Sequence, residues 1–270
     1  MFTIFGGSGL VGTVLRARLD ALGHEVFAPG RADRCKGMDL GHVIYCIGDD
    51  RVDQAPFAVI DTHVSILADI LQNCRFASFL YLSTVRVYLD GNDTRETAAV
   101  RADPLEASQL YNLSKLAGEA LCLAMKQPTV RVARLSNVTD VNPRSHLFLP
   151  TLIRHAIERG EIDLYLAPDS SKDYILLDDV VDLVLLISET GSGRLYNVAS
   201  GWNISAGEIV SVVQQCTGCK ANWHGDQPRI VFTPIDITRI RDEFGFRPRP
   251  VIDQIPSIIA RTRRALEQTA

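Results

Sequence analysis

The stretch Phe2-Thr-Ile-Phe-Gly-Gly-Ser-Gly-Leu-Val-Gly12 constrains the fold of this chain more than any other. Four apolar or β-branched residues, Phe2 to Phe5, read as a short buried strand. Three glycines follow in the order Gly6-x-x-Gly9-x-x-Gly12, and then a helical apolar stripe at Val11, Val14, Leu15, Leu19 and Leu22. A sharp strand-to-helix passage explains the spacing. Gly6 permits the tight turn, Gly9 lets the backbone approach a pyrophosphate, and Gly12 lets the helix lie close to the strand. The free N–H groups and positive dipole end of that helix then face phosphates. The expected dinucleotide contacts in this turn are Gly6, Ser8, Gly9, Leu10, Val11 and Gly12.

With 270 residues the chain can bury a full core as one α/β unit carrying a smaller lobe. Its net charge of −4 provides no basic footprint, so neither nucleic acid nor an anionic membrane surface is an expected partner. The apolar runs are short; Leu183 to Ile187 follows directly on Asp182, and no run reaches bilayer length. The N-terminus leads directly into a strand, which reads as the absence of a signal segment and makes the cytoplasm the expected compartment. The six cysteines have no framework spacing. Cys46 and Cys122 read as small core residues, and Cys216-Thr-Gly-Cys219 lacks the second ligand pair that a zinc site needs. No metal is expected.

Strand-like and helix-like stretches alternate through the first two thirds. Glu25 to Ala28, Val43 to Ile47, Phe79 to Leu82 and Thr129 to Arg134 read as strands. Phe57 to Gln72 and Leu105 to Met125 read as helices, the second following Pro104. Alternation of this kind implies an α/β fold, a doubly wound parallel sheet with helices on both faces. Too few residues separate Glu25–Ala28 from Val43 for a complete extra βα unit, so the sheet is expected to be abbreviated there. Asp39-Leu40 is read as the remnant, beside an adenine. Further on, Asn137 to Pro150 reads as a loop with a turn at Asn142-Pro143, and Leu149 to Arg159 as a helix. Lys172 to Leu177 and Leu195 to Ala199 read as strands. Asp178 or Asp179 is expected to cap a helix to Ile187, and Ser205-x-x-Glu208 to open another as a capping box. A last helix carries Ile252, Ile255, Ile258, Ile259 and Leu266.

Tyr111-Asn-Leu-Ser-Lys115 places a tyrosine and a lysine on one helical face. Such a pair is common by chance. Here it follows a strand ending in Leu82-Ser-Thr-Val-Arg-Val-Tyr88, and the opening glycine turn stands upstream. Together these stretches resemble the extended short-chain dehydrogenase/reductase family, whose members include nucleotide-sugar epimerases, dehydratases and reductases. Arg134-Leu-Ser-Asn-Val138, Lys172-Asp-Tyr-Ile175, Tyr196-Asn-Val198 and Asp236-Ile-Thr-Arg-Ile-Arg241 are similar to later family landmarks, so the likeness runs along essentially the whole chain.

The resemblance implies a Rossmann domain over residues 1–135, completed by about 172–199, with a small substrate lobe from 136–171 and 200–270. It assigns Tyr111 as proton donor or base. Lys115 supplies the field that eases the phenol's ionisation, and also holds the nicotinamide ribose. Thr84 binds the reacting oxygen, with Ser83 as runner-up. It places Asp39, Leu40, Ile47 and Gly48 against the cofactor, and Ser83, Thr84, Val85, Asn137 and Lys172 against the substrate.

Three departures sharpen the reading. After the second strand, where an NAD-preferring site usually carries an acid, the chain has Gly30-Arg31; a guanidinium suits a 2′-phosphate, so NADP(H) is favoured over NAD. Val85-Arg86 replaces the Asp-Glu of the family's sugar dehydratases, which argues against dehydration. His63 and Cys46 stand where the family often has asparagine and histidine, and read as packing or hydrogen-bonding substitutions. The leading expectation is an NADPH-dependent keto-sugar reductase acting on a nucleotide sugar. A nucleotide-sugar epimerase with retained NAD, or a non-catalytic dinucleotide-sensing protein, are the alternatives. Surplus apolar residues on the 57–72 and Tyr111 helices are expected to be buried in a homodimer or, alternatively, under the C-terminal lobe.

Overall fold

A computed structural model describes residues 1–30, 33, 35–89, 91–141, 145, 147–225 and 229–268. Arg31 and the Asn142-Pro143 turn lie outside the described residues. The chain opens with β1 (Phe2–Phe5), α1 (Leu10–Ala21), β2 (Val26–Phe27) and β3 (His42–Tyr45). A broken helix follows as α2 (Pro56–Ile60), a π-helical turn (Asp61–Ser65) and α3 (Ile66–Asn73), then β4 (Ser78–Thr84) and a 3₁₀ turn (Val85–Tyr88). Next come α4 (Leu110–Ala124), β5 (Val130–Leu135), β6 (Asn137–Thr139), α5 (Phe148–Glu158), β7 (Glu161–Leu164) and β8 (Ser171–Leu176). The last elements are α6 (Leu177–Thr190), β9 (Leu195–Val198), β10 (Asn203–Ser205), α7 (Ala206–Thr217), β11 (Lys220–Trp223), α8 (Thr238–Phe244) and α9 (Val251–Glu267).

Two compact units form. The first comprises Met1–Ser136, Asp178–Val198 and Asp236–Arg247. Its sheet runs β2-β1-β3-β4-β5-β9 with every neighbouring pair parallel. The chain steps outward from β1 to β2 and then returns to the other side of β1 as β3. The carboxyl ends of β1 and β3 therefore flank the topological switch, where open α/β sheets bind ligands. Among the described residues no helix separates β2 from β3, as the abbreviation expected from the sequence requires. Leu40 closes that gap: its side chain is fully buried and its carbonyl accepts the Thr3 hydroxyl at 2.7 Å.

Several boundaries differ from the sequence reading for identifiable reasons. Helix α4 starts at Leu110, not Leu105, because the Asp103 carboxylate takes the Leu105 N–H at 2.9 Å and holds a local turn there. Leu22 caps α1 and is exposed, since Gly23 at φ 77° has already ended the helix. The 57–72 helix contains a π-helical turn, a feature that apolar periodicity does not reveal. Asp178 and Asp179 lie in the first turn of α6 and complement its dipole; the helix has begun one residue earlier.

The second unit comprises Asn137–Leu177, Ala199–Ile235 and Pro248–Ala270. Asn137–Thr139, expected as loop, is a strand parallel to β8, while β10 pairs antiparallel on β8's other side. A second pair, β7 and β11, is parallel. Leu152, Ile153, Ile209, Val213, Ile255 and Ile259 form the centre of its apolar core. The capping box at Ser205 and Glu208 is complete, with both reciprocal bonds made. Gly218 ends α7 in the left-handed conformation, leaving Cys216 exposed and carrying Cys219 into the core, so this Cys-x-x-Cys straddles a helix end. No helix among the described residues is long and apolar enough to cross a membrane.

Candidate active site

The glycine turn is a backbone cradle with no room for side chains. Gly6 adopts φ 82°, and a Cβ on it would stand 2.9 Å from the Cys46 and Ile47 backbone at the β3 exit. A Cβ on Gly12 would meet the Gly6 carbonyl at 2.3 Å, so the third glycine admits the turn itself rather than the strand. Gly9 is the N-cap of α1 and provides no side-chain cap, and the first turn contains no acid. The leading N–H groups of α1 are thus left for an anion. Ser8 and Gly9 are exposed at this lip, and Leu10 and Val11 are half-buried. These features fit a dinucleotide pyrophosphate.

Tyr111 and Lys115 enter on α4, one helical turn apart, opposite the end of β4. Burial raises the Tyr111 phenol to about 12 and the nearby Asp50 adds to the rise, while the Arg86 guanidinium and the neighbouring Thr84 hydroxyl oppose it. Arg86 stands over the phenol, its Cζ 5.6 Å from the ring centroid. Lys115 is buried, and its Nζ donates to the Leu82 carbonyl at 3.0 Å and faces the Tyr81 ring at 5.1 Å. Burial lowers its ammonium to about 8, with Cys46 and Glu119 acting the other way. An ammonium has three donors, so Leu82 leaves capacity for a ligand. The Arg86 guanidinium is a side-chain cation whose field reaches Tyr111.

His63 ties two sides of this site together. Its Nε2 accepts the Asp49 N–H at 3.1 Å, and its Nδ1 lies 2.8 Å from Ser114 Oγ. Ser114 in turn donates to the Tyr111 carbonyl at 2.9 Å. The acceptor role of Nε2 places the proton of the neutral ring on Nδ1. Burial, with help from Lys115, lowers the imidazole to about 3 and keeps it neutral. The ring meets Tyr111 edge-on at 5.4 Å. The π-helical turn brings His63 here, and Gly118 lets α4 close upon it. A Cβ on Gly118 would lie 2.7 Å from the His63 carbonyl and 2.5 Å from Tyr81 Oη.

Behind Thr84 lies a buried ionic group that sequence reasoning missed. Glu119 and Arg134 are paired through two guanidinium nitrogens, with Arg134 Nη2 at 2.6 Å from Glu119 Oε2. Ser83 donates to Glu119 at 2.5 Å, and Arg134 donates to Tyr88 Oη at 2.6 Å. Tyr88 continues to Asn197 Oδ1 at 3.0 Å. The available signal was Glu119, four residues after Lys115 on the same helical face.

The other candidates are distributed as follows. Ser83 is buried and committed to Glu119, Val85 is buried in the 3₁₀ turn, and Thr84 alone of the three reaches Tyr111. Gly48 is exposed, and a Cβ there would lie 3.7 Å from both His63 Nε2 and Lys115 Nζ; Ile47 beside it is half-buried. Asp39 is exposed and accepts the Gly41 N–H, while Leu40 presents no side chain to the surface. Asn137 and Lys172 belong to the second unit. The Asn137 amide donates to the Asp173 carbonyl at 2.7 Å, and Lys172 lies over Phe232 at 5.8 Å. Arg31 falls outside the described residues. Among the described residues no cluster of His, Cys, Asp and Glu could hold a metal ion.

Comparison with known proteins defines the class. The model of the NAD dependent epimerase/dehydratase family matches residues 38–199. This chain belongs to that family, within the extended short-chain dehydrogenases/reductases, and is an NAD(P)-binding enzyme of the nucleotide-sugar epimerase, dehydratase and reductase group. It is 27% identical to a dTDP-glucose 4,6-dehydratase of Streptomyces griseus over 82% of this chain and 70% of the relative. It is 26% identical to the dTDP-6-deoxy-L-talose 4-dehydrogenase (NAD(P)(+)) of Kitasatospora kifunensis over 91% of this chain and 90% of that protein. Among solved structures, MoeE5 in complex with UDP-glucose and NAD superposes with a TM-score of 0.79 at 22% identity, covering 98% of this chain and 99% of the other.

Proposed function

We propose that this protein is a cytoplasmic, NADPH-dependent reductase of a keto group on a nucleotide-activated sugar, with Thr84, Tyr111 and Lys115 as its catalytic set. The observation that carries this reading is a phenol held protonated beside a second hydroxyl. With Tyr111 raised to about 12, the ring oxygen is a proton donor at neutral pH, suited to an alkoxide forming at a carbonyl. A nicotinamide coenzyme, when bound, would supply the hydride. Thr84 and Tyr111 receive the carbonyl oxygen, and Tyr111 Oη–H gives it the proton. Lys115, fixed through Leu82, directs its remaining N–H donors to the ribose hydroxyls. Gly6, Ser8, Gly9, Leu10, Val11 and Gly12 would take the pyrophosphate at the α1 N-terminus, Asp39 and the Leu40 backbone would border the adenine, and Ile47 and Gly48 would line the cofactor from the β3 exit.

NADP(H) is favoured over NAD because Gly30-Arg31 replaces an acid with a cation. Dehydration is not proposed, since Val85 and Arg86 offer no carboxylate after Thr84. The second unit, with Asn137 and Lys172, is proposed as the substrate lobe. Exposed Phe57 and Ile66 on the broken helix, with Leu123 on α4, favour a homodimer built on these helices.

The test is oxidation of NADPH by purified protein with a nucleotide 4-ketosugar. Turnover is expected, and Tyr111→Phe should lower it by roughly two orders of magnitude or more while folding survives. Protein that purifies with NAD bound and interconverts nucleotide-sugar epimers without consuming NADPH would establish the epimerase reading instead. Near-normal turnover in the Tyr111→Phe variant removes the mechanism.

A further inference from the structure

The 3₁₀ turn after β4 buries Val85 and Val87 and leaves Arg86 exposed beside the hydroxyl pair. The backbone fixes this placement: the Arg86 N–H donates to Thr84 Oγ1 at 3.1 Å, so the residue is anchored to the group it neighbours. Its guanidinium lies over the Tyr111 ring and forms no ion pair among the described residues. Some arginines of the same unit are matched to acids, as Arg51 is to Asp49 at 2.6 Å and Arg95 to Asp93 at 2.6 Å, and others are bound to backbone carbonyls, as Arg194 is to Val130 at 2.6 Å. A guanidinium standing over an aromatic ring, with no ion-pair partner among the described residues, offers a planar, two-pronged donor.

We propose that Arg86 forms an anion subsite beside the Thr84–Tyr111 pair, and that the sugar bound there carries a carboxylate next to the reacting carbon. This rests on the assignment of Thr84 and Tyr111 to the reacting oxygen made above. An oxygen bonded to both hydroxyls is flanked by Arg86, whose N–H is bonded to Thr84 Oγ1 and whose guanidinium stands over the Tyr111 ring. A substituent on the neighbouring ring carbon therefore meets a fixed positive charge. A carboxylate matches the guanidinium fork with two parallel bonds, whereas a hydroxymethyl group engages it with one neutral acceptor. In a protein of net charge −4, such a cation directs an anion to this point.

The experiment is calorimetric titration of the full chain, with NADP⁺ present, using UDP-glucuronic acid, UDP-glucose and UDP at low and high salt. UDP-glucuronic acid is expected to bind about tenfold more tightly than UDP-glucose at low salt, the range of one charge-assisted contact. Arg86→Gln should bring the two sugars to equal affinity, and Arg86→Lys should keep part of the preference. Equal binding in the unaltered protein, or a preference that survives Arg86→Gln, overturns the subsite while leaving the sugar-nucleotide reading intact. Equal weakening of UDP itself by Arg86→Gln also overturns it, by placing Arg86 on the nucleotide phosphates. If neither sugar binds better than UDP, the sugar reading falls and the subsite with it.

Discussion

The His63 imidazole is held 2.8 Å from the Ser114 hydroxyl, and through that contact the β3-exit loop and the Tyr111 turn form one hydrogen-bonded body. The family often has asparagine at this position. Ser114→Ala removes the shared hydroxyl with little change of shape. It leaves the buried Nδ1–H unsatisfied, at a cost of about 1–3 kcal/mol. Urea unfolding should register that loss, and NADP(H) affinity should fall with it, because Gly48 and Asp49 lose their tie to α4. Undiminished stability and affinity would show that the chain of bonds carries no load.

Lys115 is expected to weaken the fold that holds it. Burial holds its folded-state ammonium down at about 8 against an ordinary 10.5, so the folded protein releases this proton first. Between those values the unfolded chain binds more protons, and stability rises with pH. Below about 8 both states are protonated and the penalty is fully present. Lys115→Met should therefore be more stable than the unaltered protein at neutral pH, with the difference shrinking as pH rises toward 10. The same variant should lose NADP(H) affinity. Denaturant midpoints across that range, read as a difference between the two proteins, check the sign; a difference independent of pH contradicts it.

The buried Glu119–Arg134 pair predicts a non-additive pattern. Removing either partner leaves an uncompensated charge in the core, which costs about 3–5 kcal/mol. Glu119→Leu and Arg134→Met should each show this loss in thermal unfolding. The double variant should be less impaired than the sum of the two, since no charge is stranded. Additive losses would mean that the two side chains stabilise the fold independently.

Arg31→Ala should weaken NADP(H) by about 1–3 kcal/mol and leave NAD(H) little changed, as expected for one charge-assisted contact to the 2′-phosphate. Fluorescence titration with each reduced coenzyme measures this directly. Equal losses would assign Arg31 to loop structure.

Phe57 is 84% exposed and Ile66 40%, while Leu67, Ile70 and Leu71 on the same broken helix are buried within the chain. The surplus apolar face is thus smaller than the sequence suggests, and is centred on Phe57 and Ile66. Sedimentation at micromolar concentration is expected to show a dimer, and Phe57→Glu with Ile66→Glu a monomer. A monomer for the unaltered chain removes the proposal.

The sequence by itself determined the class of fold. Its first strand, its glycine turn and the alternation through Arg134 require local features only: a buried run, a φ that glycine tolerates, and a helical stripe. Tyr111 and Lys115 were legible for the same reason, being four residues apart on one helix. Even the abbreviated sheet follows from counting the residues between Phe27 and His42. Tertiary structure decided what depends on distant partners. The π-helical turn that brings His63 to Ser114 has no periodicity of its own. The pairing of Asn137–Thr139 with β8 arises from a neighbour 35 residues or more away in the chain. Arg86 and Lys115 stand in different surroundings because α4 carries the Lys115 ammonium to the Leu82 carbonyl while the 3₁₀ turn places the Arg86 guanidinium over Tyr111. Charge alone could not separate them, because an electrostatic role depends on distance and burial, and both are set by packing.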